Sequence, residues 1–258
     1  MPLLHHVVEG SGPAVLLLHA GVADLRMWDA QVRELSHDHL TVRCDLNGFG
    51  GSPVRPGSSG CDAEDVLALL DQLGVGDFSL VAASYGGHVG LQVATAAATR
   101  VGRMVLLAPL AELLEPDEAL RAVWGHEERL LETGDVVAAV DLSVRTWLGP
   151  DADDGMRDLL RVMQHDALVH QLGHQLAAGE VEHRELPVVL ERLTMPTTVV
   201  SGLRDLAFFV ATARALAGRL PAARLVELAW AAHLPSLERP EETGRLVRSE
   251  LTADWPRR

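Results

Sequence analysis

The chain has 258 residues, 48% of them hydrophobic, and a formal net charge of −14. That excess of acid opposes binding to nucleic acid or to anionic membrane surfaces, and no apolar run reaches the ~20 residues needed to span a bilayer. The opening "MPLLHHVVEGSGP" has no export-signal pattern and the two cysteines, Cys44 and Cys61, cannot build a disulfide framework, so a reducing cytoplasm with two structural thiols is expected.

In chain order, short apolar runs bounded by Gly, Pro or charge predict strands at 4–8, 14–19, 40–45, 78–83, 103–108, 197–201 and 224–228. Continuous apolar character fits strands buried on both faces of a parallel sheet. Helical periodicity falls between them, at 27–36, 63–73, 88–99, 209–220 and 241–251. The alternation predicts an α/β fold with a mostly parallel, doubly wound sheet. The first two strands, joined through "EGSGP", are expected to pair as an antiparallel hairpin at the sheet edge. From 111 to 186 there is no convincing strand, only helical segments separated by "ETGD", "LGPDADDG" and "AAGE". So long an interruption is too much for a plain crossover. It predicts an all-helical cap (111–186) inserted into a core made of 1–110 and 187–258.

The chemistry-bearing residues follow strand ends, where open α/β sheets bind ligands. In "LVAASYGGHVG", residues 80–90, a buried strand runs into Ser84 and then a helix. "AASYG" has the small-x-nucleophile-x-small form of a nucleophile elbow, in which a strained turn presents the hydroxyl and the flanking backbone approaches too closely for large side chains. A serine N-cap is the ordinary alternative at such a place. The loop after "LLHAG" resembles the second source of oxyanion N–H donors in acyl-transfer enzymes, so the amides of Gly21 and Tyr85 are the expected oxyanion hole. His19, in the same loop, is expected to orient it rather than to act as the base. "DLNGFGGS", residues 45–52, does not complete a dinucleotide fingerprint, because Pro53 stands where the third glycine would be. No cofactor is expected.

"VVSGLRD" ends a strand with Asp205 in the following loop, and "VELAWAAHLP" does the same with His233. Serine is a weak nucleophile at its own pKa and needs an adjacent base, which in turn needs a carboxylate to fix its tautomer. Ser84, Asp205 and His233 occur in the chain order of α/β-hydrolase triads. Glu112, soon after an earlier strand, is the rival for the acid.

Together, "LLLHAGVADLRMWDAQ", "DLNGFGGS", "AASYGGHVGLQVA", "SGLRDLA" and "AAHLPSLERPEE" resemble the signature blocks of cap-bearing α/β-hydrolases, the group that includes 3-oxoadipate enol-lactonases, pimeloyl-carrier-protein methyl esterases and cofactor-free haloperoxidase-type esterases. The resemblance covers residues 1–110 and 187–252. Ala20 and Ala82 replace glycines usual in that group, and Trp230 replaces a small residue, where it is expected to wall the pocket. The resemblance implies a serine hydrolase of a small to medium, largely apolar ester or lactone, with Ser84 as nucleophile, His233 as base and Asp205 as its orienting acid. Carbon–carbon hydrolysis, thioester hydrolysis, perhydrolysis or a lyase step on the same triad is the alternative, and a receptor that keeps the triad as a pocket a further one. Serine at residue 84 opposes the dehalogenase and epoxide-hydrolase branches, which use aspartate there. In the cap, His165, His170 and His174 are expected to be helix-surface or substrate-facing residues rather than metal ligands, and Trp124 and Trp147 are candidates to line an apolar cavity or to pack the cap on the core. The expected partner is a small-molecule substrate.

Overall fold

The computed structural model describes residues 4–52, 60–178 and 184–253. Pro53, the end of the "AAGE" separator, the side chain of His174 and the C-terminal "PRR" lie outside the described residues.

Seven strands form one sheet: β1 (His6–Gly10), β2 (Ala14–Leu18), β3 (Leu40–Cys44), β4 (Phe78–Ala83), β5 (Val101–Leu107), β6 (Thr197–Gly202) and β7 (Ala223–Leu228), in the spatial order β1-β3-β2-β4-β5-β6-β7. All neighbours are parallel except β1 and β3. The expected hairpin between the first two strands does not form. β1 is the antiparallel edge strand, but it pairs with β3, His6 opposite Cys44. β2 already has a parallel partner on each side. The connection between β1 and β2 instead presses against the loop that leads into β3. Gly10 and Gly12 have φ of +80° and +121°, and a Cβ at either would stand 2.3 Å from the His39 carbonyl oxygen or 2.4 Å from that of Asp38. Only glycine tolerates both the angle and the approach.

The central strands bury both faces, and their side chains divide with a period of two. Leu16, Leu18, Leu80, Ala82, Met104, Leu106 and Val199 enter one core. Val15, Leu17, Val81, Ala83, Val105, Leu107 and Val200 enter the other. Helices α2 (Asp62–Gln72), α3 (Tyr85–Ala96) and the body of α7 (Ala207–Arg219), through Ala213 and Leu216, cover the first face; α1 (Asp29–Leu35), α9 (Pro240–Thr252) and the start of α7, through Phe208 and Phe209, contribute to the second. A one-turn 3-10 segment, Leu25–Trp28, precedes α1, so the segment expected as one helix at 27–36 is two short ones. Helix α3 begins at Tyr85, three residues earlier than its periodicity suggests, with Gly86 and Gly87 inside its first turn.

Between β5 and β6 lie α4 (Glu118–Glu132), α5 (Val136–Trp147) and α6 (Asp154–Ala178), with no strand among the described residues. This helical cap is tied to the core by polar contacts as well as by packing. Arg26, in the loop after β2, bonds Asp166 on α6 at 3.0 Å, and Arg204 and Arg239 both pair with Asp151 between α5 and α6. Four-residue α8 (Pro235–Glu238) follows β7 and leads into α9. Among the described residues no helix is long and apolar enough to cross a membrane.

Candidate active site

Ser84 stands at the C-terminal end of β4 with φ +49° and ψ −117°, a conformation that costs a non-glycine residue about 1–3 kcal/mol. The surroundings enforce it. The Ser84 N–H donates to the Leu107 carbonyl on β5, and the Ser84 carbonyl accepts from the N–H groups of Gly87, His88 and Leu110. The small residues of the motif are explained one by one. A Cβ on Gly86 would lie 2.4 Å from the His19 carbonyl oxygen, and one on Gly87 would lie 2.9 Å from Pro109 Cβ. Ala82 fits where relatives of this pattern carry glycine because Gly90 faces it across the strand–helix contact; a Cβ there would lie 3.3 Å from that of Ala82. Among the described residues, the other non-glycine residue with positive φ is Ala108, at the end of the neighbouring strand β5.

The structure brings Ser84, His233 and Asp205 together from three separate loops. His233 Nε2 is 2.8 Å from Ser84 Oγ, and His233 Nδ1 is 2.6 Å from Asp205 Oδ2. The other carboxylate oxygen of Asp205 accepts the Leu206 N–H at 2.7 Å, so the acid is held from both sides. Its side chain is 1% exposed and that of His233 3%. A carboxylate can only accept, so Nδ1 carries the proton and Nε2 presents its lone pair to the serine hydroxyl. Backbone bonds stitch the two loops together: Leu203 N–H to the Leu228 carbonyl and Arg204 N–H to that of Ala231. Gly202 permits this approach, since a Cβ there would lie 2.0 Å from the Ala232 carbonyl oxygen. The rings of Phe209 and Trp147 lie 4.2 and 4.8 Å from the His233 imidazole, centroid to centroid.

Gly21 and Tyr85 are also adjacent, a Cβ on Gly21 falling 3.2 Å from that of Tyr85. Tyr85 is the first residue of α3, where backbone N–H groups have no intrahelical acceptor. Its hydroxyl donates to Asp62 Oδ2 at 2.7 Å, and Asp62 Oδ1 accepts from Asn47. This fixes the ring, and burial beside that carboxylate pushes the phenol well above its ordinary pKa. His19 is fully buried in the loop before Gly21. Its Nε2 accepts the Leu46 N–H at 2.9 Å, and Nδ1 lies 2.8 Å from the Ala20 carbonyl, which makes Nδ1 the donor. The ring is therefore a neutral brace between the loops after β2 and β3. Burial holds its pKa below the usual 6.5. The unfolded chain thus takes up a proton that the folded chain refuses, and stability rises with pH across the window below 6.5. The unfolding free energy from denaturant titration is expected to fall from pH 6.5 downward, by up to ~1.4 kcal/mol per pH unit from this one group. His19→Gln should flatten that slope relative to the parent protein; equal slopes in both would remove His19 as the cause.

The remaining candidates from the sequence fall in separate places. Glu112, the rival acid, lies apart from His233 in a separate group. One ligand atom each from His88, Glu112 and Glu185 lie within 4.8 Å of one another, beside a cavity of about 500 Å³ that Leu91, Leu190 and Arg219 also border. This donor set suits a divalent cation in kind, but His88 Nε2 is already engaged by Gln92 and Glu185. Trp124 is 42% exposed on α4, whereas Trp147 is buried. Trp230 carries the Arg239 guanidinium over its ring face at 4.6 Å, and the same guanidinium pairs with Asp151. His165 and His170 are exposed. Both cysteines are free and buried. Phe209 and Glu238 went unmarked in the sequence, the first as one more apolar residue on a helix, the second within a polar run.

A family model described as the α/β-hydrolase fold matches residues 13–133. The 3-oxoadipate enol-lactonase 2 of Acinetobacter baylyi is 22% identical over 94% of this chain and 90% of its own. The pimeloyl-acyl-carrier protein methyl ester esterase of Aeromonas salmonicida is 26% identical over 93% and 95%. Among solved structures, a thermophilic esterase from Thermogutta terrifontis superposes with a TM-score of 0.80 and 27% identity, covering 96% of this chain and 92% of that one. The chain is thus an enzyme of the α/β-hydrolase fold, and it resembles the enol-lactonases and carboxylesterases among them.

Proposed function

We propose that the protein is a serine hydrolase that cleaves a small to medium, largely apolar carboxylic ester or lactone through an acyl-enzyme. The observation that carries this reading is the unbroken chain of contacts from Ser84 Oγ to His233 Nε2 and from His233 Nδ1 to Asp205 Oδ2, set on a strained turn beneath a helix N-terminus.

Ser84 Oγ attacks the carbonyl carbon while His233 Nε2 takes its proton. The Asp205 carboxylate, held by Leu206 and fully buried, stabilises the imidazolium that results. Negative charge moves onto the carbonyl oxygen, which sits against the amides of Gly21 and Tyr85. Two such donors are worth several kcal/mol when preorganised, since removing one costs about 10²–10³ in rate. His233 then returns the proton to the departing alkoxide, the C–O bond breaks, and the alcohol leaves; in a lactone it stays tethered to the acyl group. A water molecule, deprotonated by the same nitrogen, attacks the acyl-enzyme, and the acid departs as Ser84 regains its proton. Phe209 and Trp147 border the imidazole with apolar rings, which keeps competing water from it and favours an apolar substrate. Residues 111–186 act as the cap that sets the substrate's size. Two buried free thiols suit a reducing cytoplasm.

Initial rates on p-nitrophenyl esters of graded chain length, beside a lactone and a vinylogous diketone, test the reading. Turnover of esters or the lactone at least tenfold faster than the diketone is expected. Turnover of the diketone alone would transfer the same triad to carbon–carbon hydrolysis.

A further inference from the structure

Glu238 closes α8 with a carboxylate that is buried, the whole residue being 3% exposed. The N–H of Ala232 reaches both of its oxygens, at 3.1 and 3.0 Å, and the N–H of Leu234 reaches Oε1 at 3.3 Å. These are the N–H groups of the residues on either side of His233. Gly149, two residues beyond Trp147, lies against the same carboxylate: a Cβ there would stand 2.3 Å from Oε2. One side chain therefore meets the N–H groups of both neighbours of His233 and the end of the segment that lays Trp147 against its ring.

We propose that Glu238 is a positioning residue: it sets the orientation of the His233 imidazole and ties the Trp147 end of the cap to the His233 loop. The inference rests on the serine-hydrolase reading above. Its physical basis is that the surrounding partners are donors, which only an acceptor on every side can satisfy. All of them are buried, so an unmatched amide costs its full desolvation. Glutamine keeps one acceptor and turns an NH2 group toward backbone N–H groups. The His233 loop must then shift, and a displacement near 1 Å at a catalytic group can cost about 10² in rate. Glu238 acts here through backbone amides and not through a side chain assigned to the substrate pocket, so the effect should fall on kcat more than on KM.

The test is Glu238→Gln, assayed as kcat and KM separately on the best ester from the panel. Active-site concentration is fixed by fluorophosphonate titration and folded fraction by near-UV circular dichroism. The expected result is a roughly 10- to 100-fold loss of kcat per folded site with KM within about twofold, and a matching slowing of fluorophosphonate labelling. Gly149→Ala, which drives a methyl group into the same carboxylate, should reproduce the split in milder form. Glu238→Asp should recover part of the lost kcat. Retention of more than half of the parent kcat per folded site in Glu238→Gln overturns the proposal. Should Glu238→Gln fail to fold, the same criteria pass to Gly149→Ala, and full kcat there overturns it. A parent protein that neither labels nor turns over any ester is a different failure, that of the serine-hydrolase reading itself.

Discussion

Ser84→Ala is expected to lower kcat by roughly 10⁵- to 10⁶-fold while leaving the protein folded. The reading assigns the only covalent bond to substrate to Ser84 Oγ, and the Ala82–Gly86 turn, its strand and its helix are held by backbone bonds that alanine preserves. Residual activity over water should survive, because the Gly21 and Tyr85 amides still bind the oxyanion. The turn also makes a separate prediction about stability. Alanine keeps the Cβ and hence the strain at φ +49°. Glycine removes it, so Ser84→Gly should be equally inactive yet more stable than the parent by about 1 kcal/mol, the strain relieved less the entropy glycine loses on folding. Urea titration of the three proteins measures this difference. A Ser84→Gly protein less stable than Ser84→Ala would mean that the turn is not strained in solution.

Asp205→Asn is expected to reduce kcat by about 10³- to 10⁴-fold with little change in KM. The amide oxygen can still take the Leu206 N–H, which leaves its NH2 facing His233 Nδ1. Two donors then oppose each other, and the imidazole answers by moving its proton to Nε2. In that tautomer it meets Ser84 with a hydrogen rather than a lone pair, and cannot accept the serine proton. The substitution is nearly isosteric, so the loop bonds from Leu203 to Leu228 and from Arg204 to Ala231 should persist and thermal stability should change little. Steady-state kinetics on the preferred ester decide the matter. A tenfold loss or less would mean that Asp205 is not what holds the imidazole in its working tautomer.

Much of the frame was legible because the central strands are buried on both faces. Such strands must be apolar throughout and must stop at Gly, Pro or charge, which is why the expected 78–83 coincides with β4 and the others fall within a few residues. Pairing is less local. Nothing in 4–13 records that β2 will have β3 and β4 as neighbours, so the edge hairpin read from that stretch is not the one that forms. The start of α3 was read late for a related reason: Gly86 and Gly87 look like helix breakers, whereas here they are the residues that let the helix touch the His19 carbonyl and Pro109. For the site, motif order could nominate Ser84, Asp205 and His233 as candidates, but only the approach of their loops, allowed by Gly202, sets them within 2.6 and 2.8 Å. Glu238 lies in "LERPEE", which as sequence is a solvated charge run. That it turns inward depends on unpaired amides 4 and 6 residues upstream, and no periodicity encodes that. Trp147 meets Phe209 and His233, and Glu185 meets His88, across more than 50 residues of chain, contacts that no local pattern records.

The most direct measurement is covalent. Incubating the folded protein with a fluorophosphonate and mapping the adduct by peptide mass spectrometry should yield one modified peptide, carrying the phosphonate on Ser84. Labelling should vanish in Ser84→Ala and slow sharply in Asp205→Asn. Folded protein that stays unmodified, or that is modified at some other serine, would contradict the account.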